Sequence, residues 1–245
     1  MFTRIQQIKY EKKSSLIAEQ ILSMIRSGEL RAEEKLPSER AIAEQIGVSR
    51  PMVREAICAL QIVGVIESQP GGNHYISKSA IDTALTDRVL SVLEHSESPF
   101  EILQSRKVFE VGVVRLAIEV ASTEDLLSAK ECWREKYEEG LKGNFEPYIE
   151  YGKDFHLAIA HAISNNMIQN IMNKLLDATI QPLWNKMRRH YIESDPARTI
   201  KYIELHQSII EAMIRRDSNA ATLLMEEHFD IVLKDVYDYG KLVNT

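Results

Sequence analysis

The stretch LPSERAIAEQIGVSRPMVREAICALQIVGVIESQPGGNHYI, residues 36–76, decides how this chain folds. Ser38 is an N-cap residue type, and Glu39 behind it suits the positive first turn of a helix. Ile42, Ala43 and Ile46 give that helix one apolar face, and Gly47 closes it where a left-handed residue costs least. Val48 bridges to Ser49, a second cap, and RPMVREAICALQIVG reads as a further helix with Pro51 in its first turn. Val53, Ala56, Ile57 and Leu60 form its core stripe, beside a polar stripe of Arg50, Arg54 and Gln61; Gly64 ends it. Two short β-prone runs, VIESQ and HYIS, flank a Pro-Gly-Gly-Asn turn, which predicts a hairpin.

Working outward, residues 14–26 place Leu16, Ile17, Ile21, Met24 and Ile25 at helical spacing. Three helices followed by a hairpin make a winged helix-turn-helix over residues 10–77. Beyond Ser77 glycine and proline become scarce. Helical periodicity predicts about seven helices, at 79–94, 98–121, 123–142, 144–163, 166–191, 196–215 and 218–238. The expected fold is mostly α, a winged helix-turn-helix followed by an antiparallel helical bundle. Residues 78–97 are read as a connecting helix and loop, and 98–238 as the second domain.

Composition agrees with a globular chain: 44% of its 245 residues are hydrophobic and 27% charged. No run approaches the roughly 20 apolar residues of a membrane-spanning helix. The polar, basic start lacks the apolar centre of a secretion signal, so a cytoplasmic location is expected. Cys58 and Cys132 form no metal-like or redox cluster and are read as buried thiols. The net charge of −6 does not advertise nucleic-acid binding, but its distribution is uneven. The first 77 residues carry 10 Lys and Arg against 9 Asp and Glu, and the remainder 20 against 27. Attraction to phosphate must therefore come from a local patch in the first part.

That patch is the start of the third helix. Ser49 offers a hydroxyl and a helix N-terminus to a phosphate. Arg50 and Arg54 lie four residues apart, and an arginine can fork to guanine O6 and N7. Arg40 on the preceding helix can reach backbone or base, and Gly71 in the wing turn lets the chain approach DNA closely. Against this stands the plainer reading that Arg50 and Arg54 are solvated arginines, or that Arg54 pairs with neighbours of Glu55 or with Glu39.

At these residues the sequence resembles the DNA-binding domain of the GntR family of transcription regulators. The matching motifs are Leu36 to Arg40, Gly47 to Arg50, Val53 to Ala56, Leu60, and Gly64 to Ile66. The resemblance implies DNA contacts at Arg40, Ser49, Arg50, Arg54 and Gly71. Pro51, next to Arg50, joins the DNA-facing set, although other members often place a small polar residue there. The implied partner is a double-stranded operator with an inverted repeat, bound by a homodimer.

His156, His206 and His228 fall on three different predicted helices, each flanked by apolar residues. Three converging imidazoles would suit Zn²⁺, Ni²⁺ or a similar divalent ion; a lone helical histidine is more often surface or satisfied core. Residues 98–238 resemble the FCD ligand-binding domain of the FadR subfamily, through Arg106, Glu110, Phe155-His156, His206 and His228. Many members hold a metal with three histidines at these places and an aspartate one turn before the first. Here that position is Gly152, and Asp154 would face roughly the other side of the helix. The effectors implied are small carboxylates, for which Arg106 is the candidate partner; its alternative is a helix-surface pair with Glu110 at i+4.

Two other functions are weighed. A metalloenzyme on a di-iron bundle would need Glu-x-x-His pairs, but Lys153, Ile203 and Met225 stand three residues before the histidines. No nucleophile motif, phosphate loop or dinucleotide fingerprint occurs. A pure interaction module would have no use for the basic stripe.

Overall fold

The computed structural model describes residues 12–69, 73–80, 84–142, 145–194 and 196–238. They fall into two compact units, one ending at Ser96 and one beginning at Glu97.

The first unit contains α1 (Lys13–Ser27), α2 (Glu39–Ile46), α3 (Arg50–Val63), β1 (Ile66–Gln69), β2 (Asn73–Ile76) and α4 (Ala84–Glu94). Its boundaries follow from local chemistry. Ser38 accepts from the Ala41 amide at 3.2 Å and so caps α2, which Gly47 closes at φ 74°. Gly64, at φ 84°, turns the chain out of α3, and the Val65 amide returns to the Leu60 carbonyl at 2.8 Å. A side chain at either glycine would be strained in that left-handed backbone. β1 and β2 pair antiparallel, Ile66 opposite Ile76 and Gln69 opposite Asn73, and Lys35 bridges to Tyr75 beside them. The turn of the wing, with Gly71, lies outside the described residues.

Ile17, Ile21, Ile25, Val53, Ile57 and Leu60 lie in one core, as their spacing predicts. Leu16 does not join it: it faces outward on α1. α4 is more than a connection, because Val89 and Leu93 are buried in the same core. Lys12 fixes its end by donating to the Leu93 and Ser96 carbonyls at 3.1 and 2.7 Å, the placement a helix C-terminus favours for a cation.

The second unit is a helical bundle: α5 (Pro99–Val120), α6 (Thr123–Leu141), α7 (Phe145–His161), α8 (Asn166–Asp177), α9 (Pro182–Ser194), α10 (Pro196–Ile214) and α11 (Ser218–Asp238). α5 packs on α11, α6 on α7, and α10 on both α11 and α6. Starts are capped: Ser122 and Asp125 bond each other's amides at 3.0 and 3.2 Å, and Asn165 accepts from Met167 and Ile168. The helix expected over 166–191 is two helices. A short 3-10 turn, Ala178–Ile180, separates them, and Pro182 starts α9 because it has no amide to continue α8. No helix among the described residues is long and apolar enough to cross a membrane. Cys58 is buried; the Cys132 side chain is outside the described set.

Candidate nucleic-acid interface and buried histidine cavity

The N-terminal end of α3 is exposed at Ser49, whose extended backbone places it as N-cap although its side chain makes no capping hydrogen bond. The hydroxyl and the first amides of α3 thus sit together at the positive end of a helix dipole, which is the arrangement that takes up a phosphate. Arg40 projects from α2 into solvent, with Glu44 one turn on at 2.8 Å. An exposed pair of this kind holds a side chain weakly, so a phosphate can compete for Arg40.

The two arginines of α3 part ways. Arg50 has a side chain 26% exposed, and among the described residues its ion pair is a long one, Nη2 to Glu39 Oε2 at 3.7 Å. Arg54 is 1% exposed. Its Nε donates to Glu39 Oε1 at 3.0 Å and its Nη2 to Glu39 Oε2 at 2.5 Å, a forked pair between α3 and α2. In this structure the Arg54 guanidinium is enclosed and joins α3 to α2. Pro51 is buried in the first turn of α3, where it shapes the helix start. Behind the wing, His74 is buried, and its Nδ1 lies 3.1 Å from Ser68 Oγ and 3.3 Å from Gln61 Nε2. Burial lowers its pKa, Glu39 opposes this and Arg54 adds to it, so the ring is neutral. Gln61 thereby ties α3 to both wing strands.

In the second unit His156 from α7, His206 from α10 and His228 from α11 come together. All three are buried, and their ligand atoms lie within 4.8 Å of one another. They line one wall of a cavity of about 70 Å³ that also includes Arg106, Gly152 and Trp184. Burial, then the neighbouring His156 and Arg106, depress the pKa of His228 well below its ordinary value, so it presents a neutral imidazole. Its Nδ1 is buried with no hydrogen-bond partner among the described residues. Glu110 of α5 touches His156 Nδ1 with Oε2 and accepts from Arg106 Nε on Oε1 at 2.7 Å. Burial would raise the Glu110 pKa, but Arg106 and His156 together outweigh it and bring it down to about 2. A carboxylate behind an imidazole fixes its tautomer and leaves the other nitrogen for a ligand.

This donor set fits a divalent ion. Its donors are imidazole nitrogens, and His156 is backed by a carboxylate. Two ligands on one ion sit at most about 4.2 Å apart, so binding would draw the triad slightly together. Gly152 lines the cavity, and a Cβ built there meets nothing within 4 Å. The wall where an aspartate was expected is open, leaving coordination positions to an exogenous ligand. Arg106 pairs with Glu110, but as a buried pair and not on the helix surface, and it lines the cavity with Nη2 buried and without a hydrogen-bond partner among the described residues.

Sequence reasoning missed α9 as part of this wall. Trp184 and Arg188, one turn apart, line the cavity. The only available signal was Pro182, which marks the break that starts α9.

Residues 13–76 match the family described as bacterial regulatory proteins, gntR family, and residues 101–231 match the FCD domain. The chain is 31% identical over 227 residues to the Uxu operon regulator of Haemophilus influenzae, covering 86% of this chain and 80% of that one. It is 29% identical over 211 residues to the Uxu operon transcriptional regulator of Escherichia coli, covering 85% and 80%. It is likewise 29% identical over 211 residues to the transcriptional regulator LutR of Bacillus subtilis, covering 84% and 92%.

Proposed function

Because this chain belongs to the gntR family of bacterial regulatory proteins and carries an FCD domain, we propose that it is an effector-controlled DNA-binding regulator working as a homodimer on an inverted-repeat operator. The observation that carries the reading is the pairing of two sites in one chain. One is an exposed helix N-terminus with Ser49 and Arg50; the other is a cavity lined by three converging histidines.

Arg50 reads base edges while Ser49, Arg40 and the wing fix register on the phosphates. The wing contribution assigned to Gly71 belongs to this proposal as well. Two-fold symmetry of the protein matches two half-sites. His156, His206 and His228 hold a divalent ion, Zn²⁺ or Ni²⁺, which supplies an electrophilic centre for a carboxylate effector. Arg106 adds a cationic wall. Effector binding shifts the population between forms of the protein that differ in operator affinity.

The test combines two measurements on the full chain. Genomic fragments selected by the protein are titrated at 50 and 200 mM salt, where an interface with 6–10 phosphate contacts loses about 10³–10⁵ in affinity. A flat salt response removes the phosphate-rich interface. Small carboxylic acids are then screened by thermal shift with Zn²⁺ or Ni²⁺ present, since a ligand of the native state raises its Tm. A hit that also alters fragment affinity is the expected result. A screen in which none does so removes the effector reading.

A further inference from the structure

α4 ends at Glu94 and α5 starts at Pro99, so His95, Ser96, Glu97 and Ser98 join them. The division between the two units falls inside this stretch, between Ser96 and Glu97. Ser98 is committed to α5 as its N-cap, and the His95 amide still donates back to the Ser91 carbonyl at 3.1 Å. Between these anchored ends lies the peptide formed by the Ser96 carbonyl and the Glu97 amide. The two groups belong to a single rigid plane. Both are taken. Lys12 Nζ, at the start of α1, donates to the Ser96 carbonyl at 2.7 Å, and Gln181 Oε1 accepts from the Glu97 amide. Each partner is 84 residues away in the chain, so neither bond is a by-product of local geometry.

Lys12 belongs to the first unit and Gln181 to the second, so each unit grips its own side of the bond that joins them. The Lys12 bond is charge-assisted, which makes it one of the stronger kind. Hydrogen bonds at the two ends of one peptide also polarise and reinforce each other. Gln181 stands between the 3-10 turn and α9, where Thr179 before it and Trp184 after it line the histidine cavity. α9 packs on α10 and α11, which carry His206 and His228. A shift of those helices on binding reaches the corner that bears Gln181. At the other end, α1 packs on α3, the helix whose N-terminus is offered to DNA.

We propose that the Ser96–Glu97 peptide is the relay between the cavity and the DNA-binding unit, with Gln181 and Lys12 as the positioning residues on its two sides. The inference rests on the effector reading above and adds the route by which occupancy of the cavity reaches α1. A planar group does not turn at its amide without turning its carbonyl, so a displacement of Gln181 is passed to Lys12. The two hydrogen bonds are the contacts that differ between the forms whose populations a ligand shifts.

The experiment measures amide hydrogen exchange on the full chain with and without Zn²⁺, the probe of the histidine site. In the wild type Zn²⁺ is expected to change exchange about fivefold at α9, at residues 93–98 and at the start of α1, the scale of one hydrogen bond. Gln181→Leu removes the acceptor; the α9 response is expected to stay, while those at 93–98 and α1 fall below about twofold. Lys12→Met keeps the stem and removes the donor; α9 and 93–98 are expected to respond and α1 is not. A bond that only stabilised the fold would alter exchange equally with and without Zn²⁺. Neither residue lines the cavity, so Zn²⁺ affinity is expected to stay within about twofold in both variants. Should a variant fail to fold, the wild type carries the test by itself. A wild type in which α9 responds and α1 does not overturns the inference and leaves the effector reading standing, as do variants that pass the response on in full. A wild type without any response at α9 overturns both.

Discussion

Arg54→Ala is expected to destabilise the N-terminal unit by about 3–5 kcal/mol, the cost of leaving one member of a buried ion pair without its partner. Glu39 would then be a carboxylate with a side chain 5% exposed and no forked guanidinium against it. Arg50, 3.7 Å away, is the nearest cation already placed to respond. Drawing it inward would take it off the DNA-facing surface, so operator affinity falls as a consequence of the lost fold contact. Arg50→Ala should behave in the opposite way. Its guanidinium is partly exposed and only loosely paired, so stability changes little, while fragment affinity drops by about 1–3 kcal/mol through the lost base contact. Urea titration with hydrogen exchange at the α3 amides, read beside fragment affinity, separates the two variants. The double variant Glu39→Gln, Arg54→Met removes both charges and is expected to recover part of the stability. An Arg54→Ala protein with wild-type stability and no DNA affinity would restore Arg54 to the contact surface and reject the pair as a structural device.

The contrast between the two arginines shows where sequence stops being informative. Ser38, Gly47, Pro51 and Gly64 act within a turn of themselves, so the limits of α2 and α3 could be read residue by residue. Whether an arginine is solvated or enclosed depends on what faces it, and Glu39 lies 15 residues from Arg54. The same limit explains α4. Its Val89 and Leu93 have helical spacing, which says that they bury somewhere but does not say against which unit. The break between α8 and α9 was hidden because apolar periodicity runs on through it; Pro182 was the one local mark.

At the cavity, the three histidines could be nominated from their apolar flanks, but the distance between them is a property of α7, α10 and α11 packed together. Glu110 was visible as an i+4 partner of Arg106. That it reaches His156 as well depends on α5 lying beside α7. Trp184 and Arg188 carry no sequence signal for this role, since only the rotation of α9 decides which of its faces lines the space. Local chemistry thus set the elements, and the site emerged from contacts between elements far apart in the chain.

Removing a ligand from the triad should have the second large effect. His156→Ala, His206→Ala and His228→Ala are each expected to reduce bound metal from about one ion per chain to near none, because two imidazoles cannot hold a borderline ion against free solution ligands. At a free metal concentration about 100 times the wild-type Kd, binding adds about 2.7 kcal/mol to the native state, and the variants forfeit this. For a protein of this size that corresponds to about 5–10 °C in Tm, and EDTA should lower the wild type by the same amount while leaving the variants where they are. Glu110→Gln tests the carboxylate behind His156 and is expected to weaken metal binding about 10–100-fold without abolishing it. Gly152→Asp pushes in the other direction. The position is helical, its Cβ meets nothing within 4 Å, and it lines the cavity, so the new carboxylate has room to approach the histidines. It should bind the ion more tightly than the wild type and, by filling a coordination position, weaken carboxylate effectors. Metal analysis after dialysis, with calorimetric titration of Zn²⁺ and Ni²⁺, reads all five variants. Full metal retention in the three alanine variants would remove the ion from this site. Metal affinity unchanged in Gly152→Asp would mean that the open wall does not face the coordination sphere.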